Sequence, residues 1–435
     1  MTYSASSFRT AATRSLSLTM LAVLAACGGG SGSNPTVDTA SLLFGDSTAD
    51  TVSSALKYGR SPHAGNTTDG PGKGNNTDPT APTTPTTPTT EPTAPTTPTT
   101  DAPTTPTTPT SPTTPTTPTT PTVSTLMPTV DPAKLMRPAL GSSTFDLKPT
   151  TEIAPDGDGA FRTACNVSHM GYDDPIVYPG QPGRSHLHTF FGNTGTNAAS
   201  TVDTLRNTGN STCRGGIANR SGYWVSTMVD TRDGTPLVPD SIGVYYKNGL
   251  LDGSVINAIP AGLRMIAGDP GANRPRGDSD PFSYRFKCIG GPNNQNDKYG
   301  SEIPNCDVGA GIYQELFFPQ CWDGVNLDSP DHQSHMAYTV QGATAPYAHR
   351  CPASHPVAIP AITFNVVYTV KEKDAPLRYR LASDNYDRSL PGGYSAHGDW
   401  FNAWRTEVSD AFSRYCIKAK KDCHSHLVGD GRTIF

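Results

Sequence analysis

From about residue 131 onward, apolar positions recur in short runs broken by Gly, Pro, Asp and Asn. That is the spacing of strands joined by turns. Runs over 223–229, 241–247, 263–267, 283–288, 314–318, 335–340 and 362–370 read as strands. The last is the clearest, because Ile362, Phe364, Val366, Tyr368 and Val370 fall on one face of an extended chain. One stretch has a different period: Trp400, Phe401, Trp404, Val408, Phe412 and Tyr415 recur at steps of three and four, which predicts a helix with Asp399 as its N-cap. The whole pattern predicts a mainly β, disulfide-rich domain over 131–435. It is expected as an antiparallel β-sandwich or distorted barrel with long loops and one C-terminal helix. About 300 residues is near the upper size for one core, so two fused β subdomains are the alternative.

Before residue 131 this pattern is missing. Residues 1–26 carry Arg9 and Arg14, then an apolar run too short to span a bilayer, and read as a lipoprotein signal peptide. They end in Leu24-Ala25-Ala26, and with Cys27 this resembles the bacterial lipobox, in which the cysteine is acylated. Residues 27–78 are polar and Gly/Ser/Asn-rich, a disordered tether. Residues 79–122 repeat Thr-Thr-Pro, which favours polyproline II and makes a stalk with a reach of about 100 Å. The expected location is outside the cell, held by lipid to the envelope at the outer membrane or cell surface, with the membrane as one partner.

Nine cysteines less Cys27 leave Cys165, Cys213, Cys288, Cys306, Cys321, Cys351, Cys416 and Cys423, an even set suited to disulfides in an oxidising compartment. Sequence alone does not choose among their pairings, although Cys416 with Cys423 is the natural local pair. No close C-x-x-C pairs suggest a zinc cluster. A net charge of -5 argues against a nucleic-acid partner.

Histidine is the chemically specific residue. In Ser185-His186-Leu187-His188-Thr189-Phe190-Phe191, read as a strand, His186, His188 and Phe190 project to one side. Two imidazoles so placed can converge on one metal ion. An H-x-H pair is also found bonded to loop carbonyls without metal, and at this one the two readings weigh about equally. His335, His397 and His355 are further candidate ligands, with His332 in reserve. Singly, each is better read as structural; as a group with His186 and His188 they favour a bound transition metal. An all-imidazole site outside the cell suits copper, with zinc as the alternative. Tyr172 and Tyr338 are candidates to stand near a redox ion. Zinc would instead activate water.

A second reading is a metal-independent polysaccharide hydrolase using paired carboxylates, with Asp173, Asp174 and Glu315 as candidates. A third is a non-catalytic glycan- or protein-binding surface module with structural histidines. A surface or environmental polysaccharide is the expected partner in either case. A serine hydrolase lacks its G-x-S-x-G elbow here.

Several long motifs occur in order: Phe161-Arg162-x-x-Cys165, Tyr172-Asp173-Asp174-Pro175, the Ser185 to Phe191 segment, Gly222-Tyr223-Trp224-Val225, Cys321-Trp322-Asp323-Gly324, Ser334-His335-Met336 and Cys351-Pro352-x-x-His355-Pro356. With them the chain resembles the secreted domain family DUF1996 from Phe161 to the C-terminal helix. The resemblance implies an extracellular, disulfide-bonded domain of bacteria and fungi, often joined to other surface modules. It implies no particular reaction. The tail Cys423-His424-Ser425-His426 lies outside it and is expected to be a surface feature tied down by Cys416.

Overall fold

The computed structural model describes residues 126–277, 283–290, 298–341 and 349–435. The leader, Cys27, the tether and the Thr/Pro stalk lie outside them.

Ten strands build two five-stranded antiparallel sheets. In chain order they are β1 (Ala160–Cys165), β2 (Val167–Gly171), β3 (His188–Gly192), β4 (Gly222–Ser226), β5 (Ser241–Lys247), β6 (Arg264–Gly268), β7 (Tyr284–Ile289), β8 (Gly311–Phe317), β9 (Ala361–Thr369) and β10 (His397–Phe401). The first sheet has the order β7-β8-β9-β5-β1 and the second β2-β3-β4-β10-β6. The chain passes from one sheet to the other at Asn166, between β1 and β2.

Alternation along β9 turns Ile362, Phe364, Val366 and Tyr368 into the main core, as the pattern predicts. Facing them are Tyr223 and Trp400 of the second sheet, and the Tyr223 and Phe364 rings lie 5.7 Å apart. Of the expected alternatives the sandwich is found, and no barrel closes among the described residues.

The second sheet is covered on its other face too. There Ile176 from the loop before β3 and Leu205 from helix α1 (Val202–Asn207) pack on Phe190, Trp224, Ile266 and Phe401. A sheet buried on both faces cannot alternate apolar with polar. This is why β3, β4 and β10 are buried at every position while carrying His188, His397 and Asp399.

Several expectations need correction. The run at 223–229 breaks at Thr227 into β4 and a short strand Met228–Asp230, and 335–340 forms only the pairs Met336–Ala337 and Val340–Gln341. Trp400 and Phe401 belong to strand β10, not to a helix. The helix α2 covers Thr406–Phe412, continues as a π-helical turn over Ser413–Lys418, and has Arg405 rather than Asp399 at its N-cap. The aromatic spacing misled because Trp400 faces the main core and Phe401 the second one, a split that a strand makes between neighbours.

All eight cysteines are paired: Cys165 with Cys213, Cys288 with Cys306, Cys321 with Cys351, and Cys416 with Cys423, the last as expected from its spacing. The closed segments span 48, 18, 30 and 7 residues, so chain entropy makes the first the most stabilising. Replacing Cys165 and Cys213 by serine should cost about 2–5 kcal/mol in urea denaturation, more than the same change at Cys416 and Cys423. Equal losses would contradict the entropic ranking.

Candidate metal centre

The centre lies on the face of the second sheet turned away from the main core. On β3, His188 pairs with Ser226 of β4, and Phe190 with Trp224. On β10, Asp399 pairs with Trp224 and Gly398 with Val225, so the register sets His397 beside Ser226. His188 and His397 therefore flank one small residue, two strand spacings or about 10 Å apart in backbone. Their rings lean together over Ser226, and His188 Nε2 lies 3.3 Å from His397 Nε2. His186, in the loop just before β3, brings its Nε2 to 3.1 Å from the same atom.

The hydrogen bonds fix the tautomers of two of the rings. His188 Nδ1 donates to the Asp173 carbonyl at 3.0 Å, and His397 Nδ1 to the Ser395 carbonyl at 2.9 Å. Carbonyl oxygens only accept, so the proton of each neutral imidazole sits on Nδ1 and leaves a lone pair on Nε2. Beneath the site, Ser383 Oγ contacts Ser226 Oγ at 2.8 Å and Ser395 Oγ at 2.7 Å. Ser395 Oγ donates to Asp384 Oδ1 at 2.6 Å, which steadies the segment carrying the Ser395 carbonyl.

Two buried carboxylates complete the cluster. Asp399 Oδ2 is 3.9 Å from His397 Nε2 and has no hydrogen-bond partner. Asp174 Oδ1 accepts from the Ile176 and Val177 amides at 2.9 Å each. Potential ligand atoms of His186, His188 and His397 lie within 4.8 Å of one another, as do those of Asp174, His188 and Asp399. His188, His397, Asp174 and Asp399 are buried and His186 is half-buried at the rim, so the five residues form one pocket that could hold a metal ion.

Burial dominates the electrostatics. It pushes His188 down to about 4 against the opposing pull of Asp173, and His397 down to about 4 with the help of His188. His186 is held well below the usual histidine range by burial and by the other two imidazoles. Burial and the neighbouring Asp174 raise Asp399 well above the usual carboxylate range. Burial also raises Asp174, opposed by its two backbone donors. At neutral pH the three imidazoles are therefore uncharged.

Of the expected ligands, His186, His188 and His397 meet here, and His335 and His355 do not. His335 Nε2 donates to the Arg264 carbonyl at 2.7 Å, with Ser329 Oγ on its Nδ1, which ties the loop around 329–335 to the edge strand β6. His355 Nε2 donates to the Ser334 carbonyl at 2.9 Å, and His332 pairs with Asp328 at 3.0 Å. Tyr338 is also held elsewhere, its hydroxyl donating to the Phe317 carbonyl at 2.8 Å. Tyr172 packs against a small cluster of Met170, Leu187, Val229 and Ala382. Of the candidate carboxylates, Asp174 belongs to the pocket, Asp173 contributes its carbonyl, and Glu315 is ion-paired to Arg285 on the other sheet. In the tail, His426 contacts Glu152 at 3.0 Å, apart from the pocket. Asp399 is the ligand candidate that the sequence reading assigned to a helix cap. The spacing His397-x-Asp399, the same period of two as His186-x-His188, was the signal for it.

A family model described as a domain of unknown function (DUF1996) matches residues 174–404, just over half of the chain. The chain belongs to the DUF1996 family. The DUF1996 match begins at Asp174 and ends three residues beyond β10, so every residue of the pocket falls inside it. No curated protein and no solved structure matched the chain. Four disulfides fit a DUF1996 domain exported to an oxidising compartment, and no helix among the described residues is long and apolar enough to cross a membrane.

Because folding depresses His188 and His397, the unfolded chain binds more protons than the folded one between about 6.5 and about 4. Their contribution is intact above pH 6.5 and is lost as the pH falls toward 4. Metal-free wild type should lose roughly 2–3 kcal/mol per imidazole across that window. Asp399 acts with the opposite sign and is present in both proteins of the comparison. A His188→Gln/His397→Gln variant should show a shallower acid loss in urea titrations at each pH, and parallel curves would refute the assignment.

Proposed function

We propose that the pocket binds one first-row transition metal ion through the Nε2 atoms of His186, His188 and His397, with Asp399 as the oxygen ligand and Asp174 beside it. The observation that carries this reading is the convergence of lone pairs. Two imidazoles that are obliged to be protonated on Nδ1 point bare Nε2 atoms at each other 3.3 Å apart. Such contact is repulsive unless a cation lies between them. Two ligand nitrogens each about 2.1 Å from one ion stand about 3.0–3.4 Å apart at the usual angles, close to the spacing seen here. The unpartnered oxygen of Asp399 supplies the negative charge that a dication requires.

Copper is the ion we favour. It stands at the top of the divalent affinity order, and imidazole with carboxylate suits it; zinc is the alternative. With copper the centre supports oxidative chemistry or metal handling, and with zinc it would polarise a bound water. The half-buried His186 at the rim marks the side from which a substrate reaches the ion. We place this chemistry at the cell surface, on a chain anchored through Cys27 and carried on the Thr/Pro stalk. The pairing of all eight remaining cysteines supports the export this requires.

Elemental analysis of the purified protein tests the centre. About one equivalent of copper or zinc is expected, lost in His186→Ala/His188→Ala, with Asp399→Ala weakening retention about 10- to 100-fold. Affinity should hold from neutral pH to about 5 and fall as the pH drops through about 4, because protons then compete for the ligand nitrogens. A protein that neither carries nor takes up a metal at neutral pH would rule the centre out. Filling the gap between the imidazoles should act in the same way: Ser226→Leu is expected to abolish binding, read by titration with copper and with zinc.

A further inference from the structure

The loop over 328–335 brings one more histidine to the outer face of the second sheet. On β6, Met265 and Ala267 belong to the main core and Ile266 to the outer cluster, so Arg264 shares the outward face with His397 and Asp399. It pairs with Phe401 of β10, two residues along from Asp399, and its guanidinium lies 4.6 Å over the Phe401 ring. Arg264 Nη1 binds Asp328 Oδ2 at 2.7 Å, and Asp328 Oδ1 holds His332 Nδ1 at 3.0 Å. His332 is thus hung from the pocket's own sheet by two charged contacts.

The loop is tied so as to hold that ring. Asp331 Oδ1 accepts from the amides of Gln333 and Ser334 and from the hydroxyls of Ser329 and Ser334. His332 itself sits at φ 60°, a left-handed conformation that few residues other than glycine adopt. A carboxylate only accepts, so the proton of the neutral ring lies on Nδ1 and Nε2 carries a lone pair. Among the described residues no hydrogen bond engages that Nε2. An imidazole held by a carboxylate through one nitrogen, with the other bare, has the arrangement of a metal ligand. His335 and His355 differ, since each has its Nε2 on a carbonyl.

The ring also lies within electrostatic reach of the pocket. Burial raises Asp174 and its two backbone donors oppose this, followed by His397 and His332. The His332 side chain is 23% exposed and that of His397 3%, with Asp174 buried between them in the sense that both act on it. Ligand atoms of Asp174, His188 and Asp399 in turn lie within 4.8 Å of one another. The donors therefore grade from the surface inward. Arg264, the cation beside this path, is neutralised by Asp328 and does not repel an incoming dication.

We propose that His332 Nε2 and the Asp174 carboxylate form an outer station that captures the metal ion from solvent and passes it to His188 and His397. The proposal rests on the metal centre described above. It separates two routes, because His186 lies at the His188 end of the paired strands and Arg264 at the Phe401 end. Each transfer exchanges one ligand for another on the ion, and the bare Nε2 has no proton to release.

Stopped-flow mixing of the full-length protein with copper(II), followed by quenching of tryptophan fluorescence, tests the station, since Trp224 pairs with Asp399 and reports arrival in the pocket. His332→Asn removes the imidazole and keeps a residue that tolerates the left-handed backbone; His332→Ala is the second variant. In both, uptake should slow about tenfold, and release to excess EDTA should slow by the same factor. One equivalent of copper should still bind at equilibrium with unchanged affinity. A loop merely loosened by the substitution would release copper faster instead. Rates equal to wild type in both variants, or slower uptake with a matching loss of affinity, would overturn the outer station and leave the inner centre standing. A wild type that takes up no copper would overturn both.

Discussion

A Cβ at position 398 would crowd the main core. One placed there would lie 2.8 Å from Leu316 Cδ1 and 3.2 Å from the Phe364 ring, because the two sheets touch at this point of β10. Gly398 therefore faces the main core. A strand sends successive residues to opposite faces, so His397 and Asp399 must face outward together. Pairing with β4 on one side and β6 on the other holds the register, and a slip by one residue would drive a histidine and a carboxylate into the core. The position of the pocket thus follows from a packing constraint on a residue that has no side chain of its own.

The pocket is expensive to maintain without a ligand. Three imidazoles and two carboxylates are withdrawn from water, and each remains there only in its neutral form or with a compensating charge. The depressed histidines and raised aspartates express that cost as shifted protonation. Part of the cost is offset by fixed hydrogen bonds, from the carbonyls of Asp173 and Ser395 and the amides after Asp174. A bound dication would offset the rest, and its binding free energy would add to the stability of the fold.

Around this centre the loops are anchored. The Cys321–Cys351 disulfide and the bonds of His335 and His355 hold the segment beside β6, so histidines that resemble ligands in sequence serve as fasteners. Both ring nitrogens of each are engaged, Nε2 by a backbone carbonyl and Nδ1 by a serine hydroxyl, so neither is left for a metal. The second sheet is covered on both faces, which keeps the cluster of His188, His397, Asp174 and Asp399 away from solvent.

The alternation of β9, the even cysteine count and the H-x-H motif were all legible in the sequence, because each depends on residues a few positions apart. That range covers the mainly β class, the local Cys416–Cys423 pair and the suspicion that His186 and His188 act together. Tertiary structure alone decided which distant residues join them. His397 lies more than 200 positions away and reaches the site through strand pairing. Asp399 looked like a helix cap until β10 was seen to pair on both sides, and His335 looked like a ligand until its Nε2 was found on a backbone carbonyl. Periodicity reports how a segment meets its nearest surroundings, but it carries no information about which strand lies beside it or how closely two sheets approach. That approach, at Gly398, is what turned a histidine and an aspartate toward the same pocket.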